Sequence, residues 1–199
     1  MNALQYPKPL RLPIGPRLRS KHYLSEVEAR RFLNQHLIAE EKMDGTHTVI
    51  PYGHLLLFAE DLLYRKTIPY RVPARYALFD VLDTREQIWW GREDKEKFME
   101  EILQGEHPEL YGRIFLVPVR YRGIFTLEEI PYLADIFSVY GDGERIWVEG
   151  LVFKPEGRIP LGAPEPQRAK FVRAEFYAQF TEEKIRGKNP IDPNLFYQK

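Results

Sequence analysis

Residues 38 to 48 read Ile-Ala-Glu-Glu-Lys-Met-Asp-Gly-Thr-His-Thr. The centre, Glu40 to Gly45, gathers charge and turn chemistry between the apolar runs Leu37 to Ala39 and Thr48 to Ile50. That pattern predicts a strand, a tight turn and a second strand, with the Lys42 amine at the turn. A lysine becomes a nucleophile only when its ammonium loses its proton near neutral pH, which needs burial or neighbouring positive charge, a metal ion included. With such neighbours the segment reads as an active site. Taken alone, Lys-x-Asp-Gly is an exposed hairpin turn, because Asp-Gly is a common hairpin dipeptide.

Outward from this stretch the chain alternates strands and helices without a regular repeat. Residues 5 to 16 carry recurrent prolines, which exclude helix and predict an extended edge segment. Ser25-x-x-Glu28 is a capping box, and Val27, Phe32 and Leu33 give the helix after it an apolar stripe up to about His36. Downstream, Thr46 to Ala59 reads as a hairpin about Tyr52-Gly53-His54, its second strand ending in Glu60-Asp61. Tyr76 to Leu82 is a strand interrupted by one acid, Asp80, and Arg92 to Gln104 an amphipathic helix whose charges form a solvated face. Arg113 to Tyr121 is a strand tempered by Pro118, Thr126 to Phe137 a short helix with its own capping box, and Arg145 to Lys154 a strand. After a proline-rich loop over 155–167, the segment Gln167 to Arg173 is the last strand and Ala174 to Arg186 a terminal helix. Hairpins and irregular connections predict an α+β fold of antiparallel sheets flanked by helices. The expectation is one compact domain over residues 1–199, with 1–16 as an extended N-terminal segment and no separate accessory domain.

Composition removes several classes of function. Lys plus Arg and Asp plus Glu are equal at 29 each, so a polyanion must be met by a local patch rather than by net charge. There is no cysteine, which excludes disulfides, thiolate metal sites and thiol nucleophiles and leaves oxygen ligands. No apolar run suits a membrane span or a signal peptide, and the expectation is a cytoplasmic protein without membrane contact. The histidines at 22, 36, 47, 54 and 107 show no metal-ligand spacing.

Four further pieces matter. Glu149-Gly150 sits in an otherwise apolar strand with Lys154 close behind, where a carboxylate is costly unless a cation meets it. Lys170 and Arg173 lie in the last strand, Glu60 ends the hairpin, and Phe79 precedes Asp80. Taken singly each has a plain alternative: Glu149 paired with Arg145 or Lys154, Glu60 a solvated strand end, Phe79 a core residue. Tyr121 between Arg120 and Arg122 is either an RNA-stacking element or a packed strand edge.

In this order, however, the pieces resemble the nucleotidyltransferase motifs of the covalent ligase and capping-enzyme superfamily. Lys42-Met-Asp-Gly45 looks like motif I, Glu60 like the acid of motif III, Phe79-Asp-Val81 like motif IIIa, Glu149-Gly-Leu-Val-Phe-Lys154 like motif IV and Lys170-Phe-Val-Arg173 like motif V. Within that superfamily the chain is similar to ATP-dependent RNA ligases of the RNA-repair type, through Tyr6 to Pro13 and the stretches Glu60 to Tyr70, Pro118 to Phe125 and Ala169 to Phe176.

The resemblance implies that Lys42 attacks the α-phosphate of ATP to give lysyl-AMP. AMP then passes to an RNA 5′-phosphate, and an RNA 3′-hydroxyl displaces it to seal the strand. It further implies that Lys154 and Lys170 neutralise the α-phosphate and depress the Lys42 pKa, with Arg173 beside them. Glu149 would hold Mg²⁺ or Mn²⁺, and Asp44 orient the lysine or metal-bound water. Glu60 would contact the ribose, Phe79 stack on adenine and Glu41 read its edge, with Gly45 completing the nucleotide loop. Three positions depart from the pattern. Residues 46 to 59 carry no arginine where such ligases have one, which makes Arg65 or Lys66 the candidate substitute. His47 stands in place of Asn, and Val172 in place of a second motif V lysine. Two other readings stay open: a DNA ligase or guanylyltransferase of the same superfamily, and a non-catalytic module that binds nucleotide or RNA ends.

Overall fold

The computed structural model describes residues 6–15, 21–142, 145–178 and 187–197. The elements run β1 (Leu10–Arg11), α1 (Glu26–Leu33), β2 (Leu37–Glu41), β3 (Thr46–Tyr52), β4 (Leu55–Asp61), β5 (Tyr76–Asp83), β6 (Ile88–Trp89) and α2 (Arg92–Leu103). They continue with β7 (Ile114–Leu116), β8 (Val119–Gly123), α3 (Ile130–Leu133), β9 (Gly150–Pro155), β10 (Ile159–Pro160), β11 (Ala169–Val172), α4 (Ala174–Ala178) and a 3-10 turn (Pro193–Tyr197). Two sheets result, ordered β1-β11-β9-β2-β8 and β10-β6-β5-β4-β3, with β7 also on β5. All pairings are antiparallel except β1 on β11 and β7 on β5. The fold is the α+β arrangement that the sequence predicts.

Burial follows from the patterning. Every residue of β2 is buried, as befits a central strand covered on both faces. Helix α1 lays Phe32 and Leu33 on Leu37, Leu151 and Phe153 of the first sheet, and the Ser25–Glu28 capping box is complete. Helix α2 packs Phe98, Met99 and Ile102 on Leu57, Leu78 and Val81 of the second sheet. Fully burying such side chains stabilises by about 1.5–3 kcal/mol each. The helices therefore cover the outer faces, and the inner faces turn toward one another across a cleft.

Several expectations are corrected. Lys42 to Gly45 is not a hairpin turn: β2 and β3 belong to different sheets, and the segment crosses between them. The strand expected over Arg113 to Tyr121 is two strands, β7 in the second sheet and β8 in the first. Pro118 lies at the break, where its missing N–H interrupts a ladder and frees the chain to change sheets. Glu149 precedes β9 rather than sitting inside it. The helix of Thr126 to Phe137 is only one turn, because Pro131 sits near its start. Val27 faces solvent, 78% exposed, and the helix buries Ala29, Phe32 and Leu33 instead. The terminal helix is described over Ala174–Ala178, and its expected continuation through 179–186 lies outside the described residues.

Candidate active site

The cleft between the sheets has a volume of about 870 Å³, within the usual range for a small-molecule site. The first sheet lines it with Glu40, Glu41, Lys42, Val152, Lys154 and Lys170, and the second with His47, Glu60 and Phe79. Lys42 enters at the end of β2, where its N–H donates to the Gly150 carbonyl at 3.0 Å. Its Nζ lies 2.7 Å from Glu149 Oε2. Gly45 is needed for close approach: a Cβ there would stand 2.8 Å from both Glu60 Cβ and Leu62 Cδ2. Asp44 anchors the crossing segment. Its Oδ2 accepts from the Thr67 and Ile68 amides at 2.7 and 3.2 Å, and its own N–H donates to the Tyr70 hydroxyl. Through Oδ2 that carboxylate holds the 62–70 loop, while its charge is also felt by Lys42 and Glu149.

Burial disfavours the ammonium of Lys42, but the nearby Glu149 carboxylate outweighs it and holds the Lys42 pKa above its ordinary value. In the chain without nucleotide the pull of Glu149 exceeds the repulsion between Lys42 and Lys170. Lys170, beside Lys42, is lowered, brought to about 8 by burial and then by the charges of Lys42 and Arg11. Across the cleft, burial pushes the Glu60 carboxyl up to about 7, and its Oε2 is buried without a hydrogen-bond partner. Glu60 and Glu149 thus offer a hard divalent cation two oxygen donors, one of them orphaned. Among the described residues no group of three or more His, Asp or Glu converges to hold a metal.

Lys154 has a different surrounding from the one expected. Its Nζ lies 2.6 Å from Glu40 and 3.0 Å from Asp80, and donates to the Phe79 carbonyl at 2.6 Å. Asp80 also accepts from Arg168 Nε at 2.7 Å and from the Tyr6 hydroxyl at 2.5 Å, and Lys95 of α2 stands 3.8 Å away. Burial would raise the Asp80 carboxyl, but Arg168, Lys154 and Lys95 hold it far below the carboxylate range. Lys154 therefore ties the two sheets together in the wall of the cleft.

Glu41, expected at the adenine edge, accepts from Arg120 at 3.2 Å, from the Val139 amide at 3.3 Å and from the Ser138 hydroxyl. Phe79 faces the cleft as expected. Arg173 does not line it: its guanidinium lies over the Trp147 ring at 4.5 Å and pairs with Asp135 at 3.4 Å. Lys66 donates to the Gly45 carbonyl beside Glu60, and Arg65 pairs with Asp142 at 3.8 Å. Tyr121 packs on the first core, Arg120 pairs with Glu41, and Arg122, about half exposed on the edge strand β8, pairs with Glu156.

A family model described as RNA ligase matches residues 50–172, more than half of the 199 residues. The chain belongs to the RNA ligase family. Among solved structures it is similar to an RNA ligase of Naegleria gruberi, a lysine-to-alanine mutant with ATP and Mn. The TM-score is 0.55 at 13% identity over 79% of this chain, which shows a shared fold. The chain spans 55% of the length of that protein. The comparison with curated proteins returns no match.

For this RNA ligase family member, sequence reasoning missed much of the charge behind the cleft. Lys95, on the helix face read as solvated, is 1% exposed, lies 3.5 Å from Glu40 and donates to the Phe79 carbonyl. Arg168, read as part of a strand, is equally buried, and its cation lies over the Trp89 and Tyr6 rings. A signal existed for Lys95: it falls on the same helix face as Phe98, Met99 and Ile102 at spacings of three, four and seven residues. Arg168 carried none.

Proposed function

We propose that the chain is the adenylyl-transferring part of an ATP-dependent RNA ligase that works through lysyl-AMP at Lys42. The observation that carries this reading is the Lys42 amine in an inter-sheet cleft, 2.7 Å from Glu149 and with Lys170 beside it, in a chain of the RNA ligase family. The Naegleria protein of like fold, recorded with ATP and Mn, supports the choice of nucleotide and ion.

In this reading the adenine lies against Phe79, with Val152 facing it from the other sheet. Glu60 approaches the ribose or shares with Glu149 the hold on Mg²⁺ or Mn²⁺. Held by Glu60 and Glu149, a divalent cation would supply positive charge against these carboxylates and the α-phosphate. With those carboxylates neutralised, Lys42 gives up its proton to solvent. Its Nζ then forms the N–P bond to the α-phosphorus while the bond to pyrophosphate breaks. Lys170, partly protonated near neutral pH, offsets the added negative charge. In the second step a 5′-phosphate oxygen of RNA takes the AMP and Lys42 regains a free amine. In the third, an RNA 3′-oxygen attacks that 5′-phosphorus and AMP leaves. Lys154, in the cleft wall, fixes β9 against β5 through Asp80 and adds positive charge toward the α-phosphate. The reading places the protein in the cytoplasm, where ATP and broken RNA ends meet, and gives it a repair role.

A second reading, a module that binds nucleotide or RNA ends without turnover, is favoured by one observation: Lys154 and Arg173 are both engaged in ion pairs. Sealing assays separate the two. A 5′-phosphorylated strand and a 3′-hydroxyl strand are incubated with ATP and Mg²⁺ or Mn²⁺, as RNA and as DNA. Joined RNA with wild type and none with Lys42→Ala supports ligation, whereas binding without joined product under any condition selects the module.

A further inference from the structure

The N-terminal segment runs along the cleft from the second sheet to the first. Leu10 and Arg11 pair with Ala169 and Lys170 at the edge of the first sheet. Tyr6, four residues earlier, is packed on the second sheet. Its ring lies 5.1 Å from Phe58, 5.3 Å from Phe79 and 5.5 Å from His47, and its hydroxyl donates to Asp80 at 2.5 Å. The intervening residues must span the gap, and Pro7, Lys8 and Pro9 all line the cleft. The two prolines fix their own φ and bias Tyr6 and Lys8 to extended backbone, so the strap has little freedom left to lose.

Four lysines face the cleft. Lys42 is paired with Glu149, and Lys154 with Glu40 and Asp80. Among the described residues, Lys8 and Lys170 make no salt bridge. Lys8 is exposed at the rim, and its charge is felt by His47 on the facing strand β3. A nucleoside triphosphate carries several negative charges, and two of the four cations already have carboxylate partners.

We propose that Lys8 binds the phosphate chain of the nucleotide, and that the strap Tyr6 to Pro9 forms one wall of the nucleotide pocket. The proposal rests on the nucleotide reading of the cleft given above. It also places the positive charge that the arginine-free β3–β4 hairpin lacks on a different part of the chain.

Equilibrium titration calorimetry in Mg²⁺ buffer tests it, with ATP, inorganic pyrophosphate and adenosine as probes and with wild type, Lys8→Met and Lys8→Arg as proteins. Thermal melting checks that each is folded. The expected result is that Lys8→Met weakens ATP by about tenfold, weakens pyrophosphate, leaves adenosine unchanged, and that Lys8→Arg recovers most of the loss. Equal ATP affinity in wild type and Lys8→Met overturns the proposal. So does an equal loss for ATP and adenosine, which makes the strap a shape element only. Unchanged ATP affinity with weaker binding of 5′-phosphorylated RNA overturns it in favour of an RNA contact. Because binding needs no turnover, a protein that binds ATP yet forms no lysyl-AMP defeats the ligase reading while the Lys8 comparison still decides the proposal. A wild type that binds no ATP overturns both.

Discussion

Asp80→Asn removes one carboxylate from the most heavily charged point of the interior. Asp80 is 2% exposed and faces Arg168 Nε at 2.7 Å, Lys154 Nζ at 3.0 Å and Lys95 Nζ at 3.8 Å. The amide keeps the shape and loses the charge, which leaves three buried cations with Glu40 as the carboxylate of the cluster. Breaking a buried pair by removing one partner costs about 3–5 kcal/mol, and at this burial little is recovered by solvent. For a chain of this length each kcal/mol moves Tm by about 2–4 °C, so a fall of about 10 °C is expected. The assay is thermal unfolding by circular dichroism between pH 5 and 7. Asp80 has a depressed folded pKa, so its contribution is complete above the unfolded value of about 3.9 and is lost only as pH falls through the folded one. The gap between wild type and variant is therefore constant across that window. A variant melting within about 2 °C of wild type refutes the assignment of the cluster as the clamp between the sheets.

Glu149→Gln removes the carboxylate that holds the Lys42 pKa up, so the pKa falls below its wild-type value; an ε-carbon NMR titration without nucleotide or metal reads this directly, and an unchanged value contradicts it. Glu60 has a raised folded pKa of about 7, so the folded state holds the extra proton and loses stability as pH rises from about 4.3 toward 7. Glu60→Gln should accordingly gain about 2–3 kcal/mol over wild type at pH 8 relative to pH 5, measured by urea unfolding, and an equal difference at both pH values refutes it. Gly150→Ala would put a Cβ 2.0 Å from the Phe171 carbonyl oxygen and force β9 from β11; a loss of about 3 kcal/mol or more is expected, and a fully stable variant argues against the pairing of those strands.

The sequence showed best what depends on local pattern. The Ser25 capping box, the β3–β4 hairpin and β5 were all readable from spacing and turn residues, because hydrophobic period and turn chemistry act over a few residues. The convergence of Lys42, Glu60, Phe79, Glu149 and Lys170 was readable only through the order of the motifs. The crossing of Lys42 to Gly45 between sheets was not, since Asp-Gly serves a hairpin equally well and the contact that requires Gly45 comes from β4. Lys95, Arg168 and the true surroundings of Lys154 were hidden for a related reason. A charged residue is buried when partners from distant segments arrive to pair it, here Glu40, Asp80 and Tyr6, and no local window contains all of them.

The most direct test of the central claim is incubation of the protein with α-labelled ATP and Mg²⁺ or Mn²⁺, followed by denaturing electrophoresis and mass mapping of the labelled peptide. The account predicts acid-labile AMP on the peptide that contains Lys42 and none on Lys42→Ala. AMP attached at another residue, or label retained by Lys42→Ala, would contradict it.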